Sequence, residues 1–455
     1  MNFFVLMITV FAALGGFLFG FDSSVINGAN IALKEFFGAN DVQLGLAVSL
    51  CLLGSAVGAL VSGRLADKIG RVKCMMIASI MFTASAVGSG LPLGIADFIA
   101  WRVLGGIGIG IASIIAPIYI AEIAPESSRG QLGSVQQFAI VIGIFVALLS
   151  NYLIVKTSGS ASAVCFLNFE AWRVMFWVEI IPAVLYFVGS LFLPESPRYL
   201  ISKGMLKEAG LVLSKLGANV QEKTASIQDS FKNQQKTSLK DLFEIKNGKK
   251  VLSTVFIVGL GIAVLQQFVG INVIFYYGTM LWESAGFGQD KAFLTSLISS
   301  GINLGMTIVA IALIDKIGRK PLLVIGSIGM TLTLGTLGIC FFCAADGKLN
   351  GGNGILALIA ANLYVAFFAA TWGPVMWVML GEMFSNRIRA IAISICGLAQ
   401  WMANFIVSWS FPVLTGENGI GVGPTYMIYT AFAAFSAFFV IKFIKETKGK
   451  ALEEM

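Results

Sequence analysis

Apolar stretches of about twenty residues alternate with short polar and charged segments along the whole chain, and each stretch is long enough to cross a hydrocarbon core as a helix. The pattern predicts twelve membrane helices. In the first half they run from Phe3 to Gly28, Leu44 to Ala66, Cys74 to Leu91, Ile95 to Ile120, Leu132 to Val155 and Trp172 to Leu193. In the second half they run from Val251 to Gly278, Phe293 to Ile314, Pro321 to Ala344, Ile355 to Leu380, Ile391 to Leu414 and Pro424 to Ile444. The first run lacks a basic start and a small-residue cleavage site, so it reads as a helix and not as a signal peptide.

The polar segments repeat. Gly63-Arg64-Leu65-Ala66-Asp67-Lys68-Ile69-Gly70-Arg71 returns as Asp315-Lys316-Ile317-Gly318-Arg319-Lys320, 248 residues later (315 − 67). A second pair, Glu122 with Arg129 and Glu382 with Arg389, is offset by 260 (382 − 122). Two equivalent halves are the architecture of carriers that rock about a central site. The expected organisation is all-α: a six-helix unit over residues 1–193, a linker with short amphipathic helices over 194–250, a second six-helix unit over 251–445, and a tail over 446–455.

Composition excludes a soluble alternative. Hydrophobic residues make up 57% of the chain and charged ones 12%, about half the usual charged share of a globular protein. The net charge of +7 follows topology. With both termini in the cytoplasm, only Lys34, Arg102, Lys156, Arg173, Lys291 and Lys348 fall on the outer half, leaving 25 of the 31 basic residues inside (31 − 6). No nucleic-acid surface is implied.

From Arg198 to Lys250 the linker carries eleven basic against five acidic residues. Met205–Leu216 reads as an amphipathic helix on the inner face, either a plain connector or part of a cytoplasmic gate.

Two motifs lead nowhere. Cys340 and Cys343 spell a redox motif inside an apolar helix, and Gly105-Gly106-Ile107-Gly108-Ile109-Gly110 imitates a dinucleotide loop without a preceding strand. The cysteines read as packing residues and the glycines as close helix contacts. No cofactor, no metal and no enzymatic nucleophile is expected.

Candidate chemistry lies in polar side chains within the spans, which are costly there unless they face a cavity or a partner helix. Amides and aromatics dominate: Gln137, Gln266, Gln267, Asn272, Asn303, Trp377, Gln400 and Trp401, with Asn404, Tyr276 and Tyr277. Amides offer donors and acceptors without net charge, which suits a neutral ligand rich in hydroxyls, and indole faces accept the C–H side of a sugar ring. Interhelical hydrogen bonding is the plainer role for any one of them. Gln266-Gln267 with Asn272 is the densest cluster.

The chain has no histidine, so side-chain proton coupling falls to carboxylates. Asp22 is the first candidate, with Arg102 as its cation, and Glu179 the second; a permanent structural ion pair is the alternative. The repeated acids and arginines, Asp67, Arg71, Glu122 and Arg129 with Asp315, Arg319, Glu382 and Arg389, read as a cytoplasmic latch that opens during gating, or as topology-setting charges.

Taken together, Gly20-Phe21-Asp22, the Gly63–Arg71 motif, Arg102 with Gly105–Gly110, Pro117-Ile118-Tyr119-Ile120-Ala121-Glu122 and Pro194-Glu195-Ser196-Pro197-Arg198 resemble a sugar porter of the major facilitator superfamily. So do Gln266-Gln267-Phe268-Val269-Gly270-Ile271-Asn272, Gly373-Pro374-Val375-Met376-Trp377 and Glu446-Thr447-Lys448-Gly449. The resemblance covers nearly the whole length and extends to proton-coupled bacterial symporters and facilitative glucose transporters.

It implies two six-helix bundles with a sugar between them, held at Gln137, Gln266, Gln267, Asn272, Asn303, Trp377, Gln400 and Trp401. It adds Glu195 and Arg198 to the latch. An acid at Asp22 favours proton symport over facilitation. Ile144, where a xylose-specific relative carries an amide, favours a hexose, glucose before galactose. Lys445 replaces a usual proline, and Gly373-Pro374 can break the tenth span. The expected protein is a monomeric carrier in the inner membrane, with a monosaccharide, a proton and the lipid bilayer as its partners.

Overall fold

Prolines and one glycine decide where the apolar runs break. The structure, a computed structural model, describes residues 3–124, 129–232, 239–246, 249–344, 348–349, 351–385 and 388–448. Among these, twelve helical spans are long and apolar enough to cross a membrane. In lipid every backbone N–H and C=O must bond within its own segment, so the runs become helices. Packing divides the chain into two units, Met1–Ala29 with Leu50–Gln235 and Asn30–Ser49 with Lys236–Met455.

The first unit holds α1 (Phe3–Val25), the Leu50–Ile69 part of α3 (Asp41–Ile69), α4 (Arg71–Gly90), α5 (Ile95–Ile123) and α6 (Arg129–Ser158). A short hairpin, β1 (Val164–Phe166) and β2 (Phe169–Glu170), leads to α7 (Ala171–Val178) and α8 (Ile180–Phe192), which together make the sixth span. Its interruption has a local cause. Pro182 lacks an N–H and its ring excludes the carbonyl four residues back, Val178, where α7 stops. Glu179 therefore stands at a break in the span.

The linker contributes α9 (Pro197–Ser202), α10 (Leu206–Lys215) and α11 (Val220–Lys232). Ser196 caps α9, its hydroxyl accepting from the Tyr199 N–H, with Pro197 in the first turn. The amphipathic faces pack on one another: Leu200, Ile201 and Ala209 form a small core against Tyr199, Val212, Ile227 and Phe231. The α10 helix, expected from Met205 to Leu216, thus spends part of its apolar face within the linker.

The second unit holds α2 (Asn30–Phe37) and the start of α3, then the hairpin β3 (Phe243–Lys246) and β4 (Lys249–Leu252). Next come α12 (Thr254–Phe268), α13 (Ile271–Ser284), α14 (Gln289–Ile317), α15 (Arg319–Phe342), α16 (Gly351–Ala370), α17 (Trp372–Met383), α18 (Arg389–Thr415) and α19 (Val422–Phe443). The seventh span, expected as one run from Val251, begins three residues later because β4 occupies its start.

That span breaks between α12 and α13 at Gly270, which adopts φ +82°, a left-handed conformation that favours glycine. The tenth span breaks between α16 and α17 at Thr371, with φ −135° and ψ −85°. The expected break at Gly373-Pro374 falls two residues earlier for the reason seen at Pro182. Pro374 excludes the carbonyl of Ala370, the last residue of α16, and itself sits in the first turn of α17, where its missing N–H costs nothing.

Candidate functional site

The α12–α13 break frees a carbonyl, and polar side chains reach the backbone at both breaks of the second unit. Tyr364 Oη donates to the Val269 carbonyl at 2.7 Å. Gln266 Nε2, one turn before the α12–α13 break, donates to the carbonyls of Trp372 and Gly373 at 3.0 and 3.3 Å, just after the α16–α17 break. Gln266 Oε1 accepts from Gln400 Nε2 at 2.5 Å and from Gln267 Nε2 at 3.2 Å. Gln267 Oε1 accepts from Asn272 Nδ2 at 2.6 Å. Four of the predicted amides, drawn from α12, α13 and α18, thus form one chain anchored on two discontinuous helices, the construction that builds substrate sites in membrane carriers.

The chain fixes amide orientation. The Gln266 and Gln267 side-chain oxygens each accept from neighbouring amides, so the donors and acceptors along the chain take a set order. Of the remaining predicted contacts, Asn303 on α14 is buried and Trp401 half-buried, while Trp377 is 40% exposed and lies beside Gly397 of α18. Gln137 belongs to the first unit, half-buried on α6. Tyr277 ties α13 to α18, its Oη donating to the Ser408 carbonyl, while Asn404 accepts from Ser408 Oγ within α18. Asn30, which sequence reasoning passed over, is fully buried and donates to the Tyr276 carbonyl at 2.6 Å.

In the first unit Asp22 and Arg102 meet as expected, exposed by no more than 1%. Arg102 Nη1 donates to Asp22 Oδ1, and Nη2 donates to the Asp22 carbonyl at 2.9 Å and to Cys51 Sγ at 3.8 Å. Its guanidinium also lies 5.7 Å from the Phe176 ring. Glu179, fully buried at the break in the sixth span, lies within electrostatic reach of Asp22 and Arg102. Neither Glu179 oxygen nor Asp22 Oδ2 has a protein donor. Two buried acids beside a single guanidinium carry one uncompensated charge unless one of them binds a proton, so the cluster offers a place for one.

The duplicated charges close in the same way within each unit. Arg71 Nε and Nη2 grip Glu122 at 3.0 Å each, while Nη1 reaches Asp67 at 3.4 Å and the Ala66 carbonyl at 3.2 Å. Arg319 Nε and Nη2 grip Glu382 at 2.9 and 2.6 Å, while Nη1 reaches Asp315 at 2.9 Å and the Ile314 carbonyl at 3.2 Å. Such two-pronged pairs combine charge with fixed geometry.

Each arginine opens a helix whose first N–H groups need acceptors. Glu195 accepts from the Arg71 and Val72 N–H groups at 3.0 and 3.2 Å. Glu446 accepts from those of Arg319 and Lys320, both at 3.0 Å. The Glu446-Thr447-Lys448-Gly449 motif does not itself show this capping role; its signal is the match of Glu195-Ser196 with Glu446-Thr447, 251 residues apart (446 − 195). Burial pushes the Glu195 carboxyl above the usual range, against the Ser196, Arg71 and Val72 N–H groups and the Arg71 charge. Burial acts on Glu446 too, but four N–H groups, from Lys448, Arg319, Lys320 and Thr447, hold it below that range.

Two predicted latch residues act elsewhere. Arg198 lies over the Phe231 ring at 5.2 Å, and Arg389 caps α17 by donating to the Phe384 carbonyl at 2.9 and 3.1 Å. The Arg129 side chain lies outside the described residues.

Comparison with known proteins shows the family of the chain. Residues 8–455 match the family model described as "Sugar (and other) transporter". The chain is 52% identical over 458 residues to a glucose transport protein of Synechocystis sp., covering 99% of this chain and 97% of that one. It is 38% identical over 487 residues to a D-xylose-proton symporter of Escherichia coli, covering 99% and 95%. The inward-open structure of the xylose transporter XylE from E. coli superposes with a TM-score of 0.84 at 37% identity, covering 99% of this chain and 98% of that one. With a twelve-span helical fold, an amide chain at two broken helices and a family match over nearly its full length, the protein is a member of the sugar transporter family.

Proposed function

We propose that the protein imports a neutral hexose, glucose first, by proton symport through alternating access across the cell membrane, with both termini in the cytoplasm. The observation that carries the sugar assignment is the chain Asn272–Gln267–Gln266–Gln400, uncharged and rich in donors and acceptors, with Trp377 and Trp401 as stacking surfaces. The relatives named as a glucose transport protein and a D-xylose-proton symporter support it.

Coupling falls to Asp22, Arg102 and Glu179. Two acids and one guanidinium leave one charge uncompensated in a dry site, and a proton on one of the acids removes it. Proton uptake there favours the sugar-binding state, and release on the cytoplasmic side resets the carrier; a ligand with equal affinity for all states would drive nothing. The arginine clusters around Arg71 and Arg319 form the cytoplasmic latch, with Glu195 and Glu446 as its caps.

Proteoliposomes with an imposed proton gradient test this directly. Glucose addition is expected to alkalinise the outer medium and glucose to accumulate inside. Equilibration without proton movement would establish the second reading, a uniporter in which the fully buried Asp22–Arg102 pair is structural.

A further inference from the structure

The first unit seals the seam between α3 and α5 with glycines. A Cβ at Gly54, Gly58, Gly106 or Gly110 would stand 2.5, 2.2, 2.0 or 2.1 Å from a backbone oxygen of the facing helix, so the two backbones touch. The duplicated motifs give the matching positions in the second unit. The offset of 248 carries Gly54 to Ile302 (302 − 54) and Gly58 to Met306 (306 − 58); the offset of 260 carries Gly106 to Ala366 (366 − 106) and Gly110 to Ala370 (370 − 110).

Polar contacts confirm that register. Arg102 and Cys51 touch across the first seam at 3.8 Å, and their counterparts Asn362 (362 − 102) and Ser299 (299 − 51) hydrogen-bond across the second, Ser299 Oγ donating to Asn362 Oδ1 at 2.9 Å. The contact survives the duplication while all four glycines are replaced by larger residues.

The consequence is a groove of about 410 Å³ between α14 and α16, lined by Ile298, Ile302, Leu358, Ile359, Leu363 and Ala366. Ile298, Ile359 and Leu363 are 48, 51 and 47% exposed, and both helices lie within membrane spans. Asn362, the groove's polar side chain, is engaged at both ends, accepting from Ser299 and donating to the Leu358 carbonyl at 2.8 Å. A polar ligand finds little to bond. An apolar volume left empty forfeits dispersion contacts on every lining atom, and a groove within two membrane spans has lipid chains as the apolar material at hand to fill it.

We propose that this groove is a binding site for the acyl chain of a membrane phospholipid. Lys291, exposed on α14, precedes Ile298 by seven residues, ~10 Å along the helix axis. That distance sets a cation at headgroup level above the lodged chain, where a phosphate is the complementary group.

The test uses the full chain in phospholipid vesicles doped with a phosphatidylcholine that carries a diazirine at mid-chain. After irradiation, adducts are mapped by peptide mass spectrometry, with the exposed Ile181, Leu185 and Phe192 stripe of α8 reporting ordinary annular lipid. After detergent extraction and washing before irradiation, labelling at Ile298–Ile302 and Leu358–Ala366 is expected to exceed that on α8 about tenfold, ~1.4 kcal/mol of preference. An Ile302→Trp substitution, which fills the groove, should bring it down to the α8 level. Groove labelling that washes away together with that of α8 overturns the proposal. So does labelling by a diazirine fatty acid where the phospholipid leaves none.

Discussion

Replacing Asp22 with asparagine tests the acid pair through its charge count. With both acids ionised, Asp22, Glu179 and Arg102 sum to −1; with one proton they are neutral. Asp22→Asn and Glu179→Gln each give a neutral set that needs no proton, because Arg102 keeps one carboxylate within electrostatic reach. Each single variant should therefore fold, lose uphill sugar accumulation, and still exchange sugar across the membrane. Asp22→Asn gives up a charge-assisted hydrogen bond, ~1.5–3 kcal/mol, partly offset by Glu179. The double variant leaves a guanidinium that is 1% exposed with no counter-charge, and breaking a buried pair in that way costs ~3–5 kcal/mol. Unfolding of the purified variants should show the double change exceeding the sum of the singles by ~2–3 kcal/mol. Proteoliposome uptake and counterflow supply the transport readout. Additive stabilities would refute the charge count, and concentrative uptake by either single variant would remove that acid from the coupling.

Gln266→Leu strips the hub of the amide chain, leaving the Gln267 and Gln400 donors without their acceptor and removing the tie from α12 to the Trp372 and Gly373 carbonyls. At ~1–3 kcal/mol per orphaned group, sugar binding followed by tryptophan fluorescence should weaken by at least tenfold, and an unchanged Kd would take Gln266 out of the site. Gly270→Ala forces φ +82° on a residue whose Cβ would stand 2.7 Å from the Tyr429 ring; it should lower the Tm, whereas Gly305→Ala in α14, with open space around it, should not. The capping glutamates predict opposite acid responses. Glu446, held below the usual carboxyl range, contributes stability above that range that is lost as pH falls through its lowered pKa, so Glu446→Gln should flatten the acid limb of Tm against pH. Glu195, held above it, is relieved as pH falls through its raised pKa toward the usual range, so Glu195→Gln should remove a rise in stability over that window; the same slope change for both would contradict the assigned directions.

Much of this was legible in the sequence because lipid leaves few alternatives. Apolar runs must become helices, and buried polar residues must find partners, so the twelve spans, the Asp22–Arg102 pair and the Gln266–Gln267–Asn272 cluster follow from composition and spacing. Positions controlled by distant backbone were harder to read. The break before Trp372 is set by a proline two residues inside the next helix, and Glu446 caps a helix that begins 127 residues earlier. Motif and periodicity point Arg198 and Arg389 to the latch, yet neither property shows whether a carboxylate, an aromatic face or a helix carbonyl lies nearest.

The duplication separates what both units need from what only one needs. Arg71 and Arg319 keep the same partners in the same geometry, down to the carbonyl five residues back, which marks the capped arginine as a requirement of the fold. Arg102 and Asn362 occupy matched positions and keep only the contact to Cys51 or Ser299; the charge is present in one unit alone. A salt bridge required for folding would have been expected in both. Under the proposed symport, its restriction to the unit that also carries Asp22 and Glu179, while the amide chain occupies the other, would place proton handling in one unit and most of the sugar contacts in the other, two chemically distinct sites whose occupancies can be coupled through a change of conformation.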